Sequence, residues 1–209
     1  MKGGISSIFI DIGGVLFSLD YQRVWNRLCE RSGKTVDEVQ KALYAEDIFY
    51  PFESGDIGAY TYYCEVTNRL SCDISYEEFR NIWNSLLIKD ERMFEIVSFL
   101  KSQAAILVLS NTNEMNAKYM EQDIKSLTDK AVYSFQAGHL KPDRKIYEYA
   151  LQVACVLPNR VLFIDDTEEN IDAAEALGIR SHLFKNEKEL YGLLVSLGFD
   201  IPLFQQDSI

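Results

Sequence analysis

Short apolar stretches recur along the chain, each halted by polar or turn-forming residues. They are Ile8-Phe9-Ile10, Ala104 to Leu109 and Val161-Leu162-Phe163-Ile164, with weaker ones at Ala131-Val132-Tyr133 and Ser181-His182-Leu183-Phe184. Each predicts a strand buried on both faces. Between them the apolar positions follow a helical period. Met93, Ile96, Val97 and Leu100 share one face, as do Ile146, Tyr149, Ala150 and Val153; Ile171, Ala174 and Leu177 run ahead of Gly178 at a C′ position. Strand and helix in alternation predict an α/β fold, a doubly wound parallel sheet with helices on both sides.

Residues 18–92 break this rhythm with helix signals and no convincing strand. Thr35-x-x-Glu38 is a capping box ahead of Val36, Val39 and Leu43, and Ser75-x-x-Glu78 is another ahead of Phe79, Ile82, Trp83 and Leu86. The pattern therefore predicts a core of residues 1–17 and 93–209 with a helical insertion, 18–92, after the first strand. The insertion is rich in aromatics, among them Tyr44, Phe49, Tyr50, Phe52, Tyr60, Tyr62 and Tyr63. Most are expected to pack within a small helical unit, and a minority to line a ligand cleft.

Composition narrows the classes. A chain of 209 residues with 47% hydrophobic positions should bury roughly 70% of the surface its unfolded form exposes. The formal charge of −11 repels a phosphate backbone, so no nucleic-acid partner is expected. Cys29, Cys64, Cys72 and Cys155 form no C-x-x-C pair; neither zinc nor a disulfide framework is indicated, and a reducing, cytoplasmic setting is expected. The longest uninterrupted apolar run, Ala104 to Leu109, is far short of a bilayer span, and Ile8-Phe9-Ile10 is too short for a signal peptide, so no membrane partner is expected. Nothing in the composition speaks to oligomeric state.

In a parallel sheet, ligands bind beyond the carboxyl ends of the strands. Those positions hold Asp11-Ile12-Gly13-Gly14-Val15, Ser110-Asn111-Thr112-Asn113, Gly138-His139-Leu140-Lys141-Pro142-Asp143 and Asp165-Asp166-Thr167. Singly each has an ordinary explanation as a cap or turn. Together they place three carboxylates at one edge, a hard-oxygen set that suits Mg²⁺. Lys141 and Ser110 beside it would complement a phosphate, with Arg144 and Lys145 as possible additional positive charge. His139 reads as a loop hydrogen-bonding residue before a catalytic one, His182 as a satisfied core residue, and Asp20 as a hinge residue before a cleft one.

These four phrases, in this order, resemble the motifs of the haloacid dehalogenase superfamily, and the helical insertion resembles its first-type cap. More narrowly they are similar to the branch holding bacterial sugar-phosphate phosphatases, such as α-D-glucose-1-phosphate phosphatase, and the amino-terminal domain of mammalian epoxide hydrolase. The resemblance implies a Mg²⁺-dependent phosphatase of small phosphorylated metabolites. Asp11 would be the nucleophile that forms an aspartyl-phosphate; Asp11, Asp166 and the Gly13 carbonyl would hold the ion, with Asp165 binding through water or orienting its shell; Ser110 and Asn111 would contact the phosphoryl group; and Lys141 would neutralise its charge. Members of the superfamily usually carry a second Asp, a general acid and base, two positions after the nucleophile. Here that position is Gly13. The loss implies a preference for easily expelled leaving groups such as anomeric or acyl phosphates. It also disfavours a mutase, while the intact Asp165-Asp166 pair disfavours a dehalogenase. The alternative is a degenerate member that binds a phosphorylated ligand or a protein partner without turnover.

Overall fold

The computed structural model describes residues 4–202; residues 1–3 and 203–209 of the expected core lie outside them. In chain order the elements begin with β1 (Ser7–Ile10), β2 (Phe17–Leu19), α1 (Tyr21–Ser32), α2 (Val36–Leu43), α3 (Glu46–Ser54), α4 (Ala59–Leu70), α5 (Tyr76–Asn84) and β3 (Leu87–Lys89). They continue with α6 (Glu91–Leu100), β4 (Ala105–Ser110), α7 (Glu114–Leu127), β5 (Ala131–Tyr133), the single turn α8 (Ser134–Ala137), α9 (Arg144–Ala154), β6 (Val161–Asp165), α10 (Glu168–Glu175), β7 (Arg180–Leu183) and α11 (Glu187–Ser196).

A five-stranded parallel sheet runs β5-β4-β1-β6-β7. Alternate side chains of its central strands enter two separate cores. Ile8 and Ile10, Ile106 and Val108, and Leu162 and Ile164 meet Met93, Val97, Met120 and Leu190 from α6, α7 and α11. Phe9, Leu107, Leu109 and Phe163 meet Ile146, Tyr147, Ala150 and Ala174 from α9 and α10 on the opposite face. That two-sided burial is why the strand segments read as continuous apolar runs.

One helical face differs from expectation. Tyr149 is exposed, and Tyr147 takes the core position, its ring edge-on to Phe163 and its hydroxyl donating to the Asn170 carbonyl. A buried phenol with a hydrogen-bond partner takes that one place, while Ile146, Ala150 and Val153 keep the face expected of them. The end of α10 follows the sequence closely: Gly178 has φ +78° and donates to the Glu175 carbonyl while Ile179 donates to that of Ala174, a Schellman closure.

The interval expected to lack strands contains two, β2 and β3, paired antiparallel from Phe17↔Lys89 to Leu19↔Leu87. Each is only three residues long, too short for alternation to register. They carry the chain out of the core and back: Phe17 packs in the sheet core, whereas Leu19 packs against the helical cluster. The Asp20 N–H donates to the Leu86 carbonyl and the Asp90 N–H to that of Leu16, tying the two crossings together. Asp20 itself pairs with Arg23 at 3.1 Å, at this crossing.

Helices α1–α5 enclose their own core, with Phe52 stacked on Tyr62 at 4.1 Å and Trp83 edge-on to both. The Thr35–Glu38 capping box forms in full. At Ser75 only half forms, because Glu78 turns away to Arg31 at 2.6 Å.

The last turn of α3 rests on α8. Ser134 Oγ donates to the Glu53 carbonyl at 2.6 Å, and Gly55, at φ +84°, lies so close that a Cβ there would overlap the Phe135 carbonyl oxygen. Gly55→Ala is therefore expected to lower stability by roughly 1–3 kcal/mol, read as a fall in urea midpoint at unchanged m. A midpoint equal to wild type would mean that α3 does not rest on that carbonyl.

Candidate active site

Because β1, β4 and β6 are parallel and adjacent, the residues that end them share one edge of the sheet. Asp11 follows β1, Ser110 ends β4, and Asp165 ends β6. Asp11, Asp165 and Asp166 each offer a carboxylate oxygen within 4.8 Å of the others. Gly14 permits the approach: its φ is +74°, and a Cβ would overlap Asp166 Oδ2.

Lys141 is buried and binds two of the three acids. Its Nζ lies 2.9 Å from Asp11 Oδ1 and 2.6 Å from Asp165 Oδ2, and donates to the Leu109 carbonyl at 3.1 Å. Asp11 Oδ1 also accepts from the Ile12 N–H at 2.7 Å. Asp165 Oδ1 accepts from the Thr167 N–H at 2.9 Å and Asn170 Nδ2 at 3.0 Å. Burial pushes the Asp11 carboxyl up to about 6 despite the neighbouring Lys141 charge. For Lys141, burial pulls the other way, but Asp11 and Asp165 outweigh it and the ammonium is held above its usual range. Asp166 is raised by burial and by Asp165.

The Asn111 side chain is committed to the Lys141 peptide. Its Oδ1 accepts from Lys141 N–H at 2.7 Å and its Nδ2 donates to the Lys141 carbonyl at 2.8 Å. The Asn111 amide is thus spent on the Lys141 backbone. Ser110 Oγ is buried and donates weakly to the Asn111 carbonyl at 3.3 Å.

Beside this edge, lined by the neighbours of Asp11 and not by Asp11, Lys141, Asp165 or Asp166 themselves, lies a cavity of about 90 Å³, well below the ~300–1,000 Å³ of ordinary ligand clefts. Gly13, Ser110 and Asn111 line it from the sheet, and Tyr21, Tyr44 and Glu53 from the helical unit. Of the aromatics noted in the sequence, Tyr44 and Phe49 line it, Phe52 and Tyr62 are core, and Tyr50 and Tyr60 are exposed. Glu53 and Tyr21 carried no signal in the sequence as site residues. Their placement depends on how α1 and α3 fold back over the sheet, a non-local contact that no spacing announces.

The remaining candidates lie elsewhere. His139 Nδ1 sits 3.6 Å from Asp143 Oδ2, a partly exposed loop pair. His182 is not the satisfied core residue expected: its Nε2 is buried without a hydrogen-bond partner, and burial lowers its pKa so that the ring stays neutral. Arg144 pairs with Glu148 at 2.7 Å on an exposed helix face and Lys145 is exposed. Neither forms an ion pair with the acids; among the described residues Lys141 is the cation that does. No helix among them is long and apolar enough to cross a membrane.

A family model described as haloacid dehalogenase-like hydrolase matches residues 5–178. A D-ribitol-5-phosphate phosphatase of Bacteroides thetaiotaomicron is 23% identical over 85% of this chain and 90% of its own length. A phosphorylated carbohydrates phosphatase of Thermotoga maritima is 25% identical over 64% of this chain and 60% of its own. Among solved structures, an enzyme of the same family from Bacteroides thetaiotaomicron, complexed with magnesium and inorganic phosphate, superposes with a TM-score of 0.80 at 23% identity, covering 90% of this chain and 100% of that one.

Proposed function

The chain belongs to the haloacid dehalogenase-like hydrolase family, and from that premise we propose that it hydrolyses small phosphorylated metabolites, sugar or polyol phosphates, through an aspartyl-phosphate on Asp11. One observation carries the proposal: a buried lysine grips two of three convergent carboxylates, leaving the third, Asp166, turned toward solvent beside them. Three acids held this close repel one another unless a cation joins them, and an all-oxygen donor set fits Mg²⁺. Asp11, Asp166 and the Gly13 carbonyl would hold the ion, with Asp165 orienting its shell; when bound it neutralises phosphoryl charge at that edge. The substrate class rests on relatives named for D-ribitol-5-phosphate and for phosphorylated carbohydrates.

Asp11 would attack phosphorus in line, displacing the alcohol, and water would then cleave the acyl phosphate to regenerate the carboxylate. Lys141 would balance charge building on the phosphoryl oxygens, aided by the Ser110 hydroxyl and the Asn111 backbone N–H. Residues 18–92 would act as a cap over this reaction. The cavity is too small for a metabolite, so the cap would open to admit one and close to exclude bulk water.

Phosphate release from a panel of sugar, polyol and acyl phosphates tests this. Chelation of divalent ions is expected to reduce release by at least about 10²-fold, with recovery on adding Mg²⁺. Release undiminished by chelation would overturn the metal assignment. Failure of every ester, with retained binding, would favour the non-catalytic alternative.

A further inference from the structure

Gly13 leaves the sheet edge without the acid that this family usually places two residues after the nucleophile. An acidic residue of the helical unit nevertheless lines the cavity that Gly13 lines. Glu53, in the last turn of α3, is buried and shares the cavity with Gly13, Ser110 and Asn111. Its Oε1 accepts a single hydrogen bond, 2.8 Å from Asn113 Nδ2, and its Oε2 accepts none among the described residues. No cation pairs with it among them. Its position is fixed at both ends. Asn113 is held in turn by Asn116 Oδ1 at 2.7 Å, and Asn116 reaches Asn84 of α5, a buried amide chain joining core to helical unit. The Glu53 carbonyl is gripped by Ser134. Tyr21 lines the same cavity as Glu53, and burial, with the charges of Glu53 and Asp166 adding to it, raises its phenol.

We propose that Glu53 is the general acid and base of the reaction, supplied from the cap in place of the side chain missing at Gly13. This rests on the phosphatase proposal above and deepens it. In the first step the Asp11–phosphorus bond forms as the ester P–O bond breaks, and the Glu53 carboxyl proton passes to the departing alcohol oxygen. In the second, the Glu53 carboxylate takes a proton from water as that water's oxygen bonds phosphorus and the Asp11–phosphorus bond breaks. The sum is ester plus water to alcohol plus inorganic phosphate, and Glu53 ends protonated as it began. Because Ser134 and Asn113 hold Glu53 only while α3 rests on the core, closure of the cap would both seal the cavity and deliver the acid.

Protonation near neutrality agrees with this role. Burial pushes Glu53 up to about 7, opposed only by the Asn113 hydrogen bond. The ionisable groups facing it are the phenols of Tyr21, Tyr44 and Tyr62, from α1, the end of α2, and α4; burial, with the Glu53 charge adding to it, raises all three, so they remain neutral. An acid of this kind also removes the handicap that Gly13 alone would impose on poor leaving groups.

The test compares Glu53→Gln with wild type on two substrates through kcat/KM, which covers the steps up to departure of the alcohol. For an alkyl ester such as a polyol phosphate, the variant is expected to lose about 10²–10⁴-fold. For p-nitrophenyl phosphate, whose leaving group needs no proton, it should lose less than about tenfold. The alkaline fall of the wild-type alkyl profile should vanish in the variant. The ratio between substrates is independent of how much variant is folded, so misfolding cannot imitate the result. Equal losses on both substrates, or an unchanged pH profile, would overturn the role of Glu53 while leaving the phosphatase proposal standing. Absence of turnover by wild type on both would instead remove the phosphatase proposal itself.

Discussion

Replacing Asp11 by asparagine is expected to cut phosphate release by about 10⁴-fold or more while leaving the protein folded. The rate loss follows from chemistry: an amide oxygen is a poor nucleophile toward phosphorus, and nucleophile removal in other covalent enzymes costs this much or more. The retained fold follows from electrostatics. Burial raises the folded-state pKa of Asp11 from 3.8 to about 6, so at pH 7 the group is ionised in a place that disfavours its charge. Asparagine removes that penalty, and Lys141 keeps its 2.6 Å partner Asp165. With divalent ions chelated, the variant should therefore melt no lower than wild type at pH 7, a case of activity held at the expense of stability. Acid quenching during turnover should trap phosphate on wild type and none on the variant. Retention of more than about a hundredth of the wild-type rate would sink the assignment of Asp11 as nucleophile.

The residues that end strands were legible in the sequence because two local signals coincide there. Ile8-Phe9-Ile10 and Val161 to Ile164 are buried on both faces, so their apolar runs stand out, and an aspartate immediately beyond each run has no packing reason to be there. Asp11, Asp165 and Asp166 could thus be placed at one edge before any contact was known, and the structure brings them together. Chemistry that depends on one helix folding over another element was not legible. Glu53 sits in Phe52-Glu53-Ser54-Gly55, which reads as an ordinary helix end; only the seat of Gly55 on the Phe135 carbonyl and the bond from Ser134 make it a buried acid lining the same cavity as Gly13. The same limit hid the partner of the Asn111 amide, the Lys141 peptide thirty positions away. Strands β2 and β3 escaped notice for a different reason, being too short for any period to show.

Lys141→Met should be the most damaging single change to stability at this edge, and its cost should depend on pH in a definite sense. Methionine approximates the volume of the lysine stem but leaves the buried Asp11 and Asp165 carboxylates without their shared cation. Breaking a buried pair in this way costs about 3–5 kcal/mol. For Asp11 the sign follows from its raised pKa. Between 3.8, its unfolded value, and about 6, the folded chain binds more protons than the unfolded chain, so this group makes stability fall as pH rises. Lys141 is the foremost influence lowering that folded value; without it, the window stretches upward past neutrality. The stability deficit of Lys141→Met relative to wild type, measured by urea unfolding under chelation, is therefore expected to be small at pH 5, where Asp11 is largely protonated in the variant's folded form, and to widen toward pH 8. The lysine's own share behaves oppositely, present at all lower pH and lost only as pH climbs beyond 10.5 through its raised value, so it cannot produce the trend. A deficit constant from pH 5 to 8 would mean that Lys141 stabilises through its ammonium over the Phe163 ring, 5.6 Å from the centroid, and not by balancing the acids.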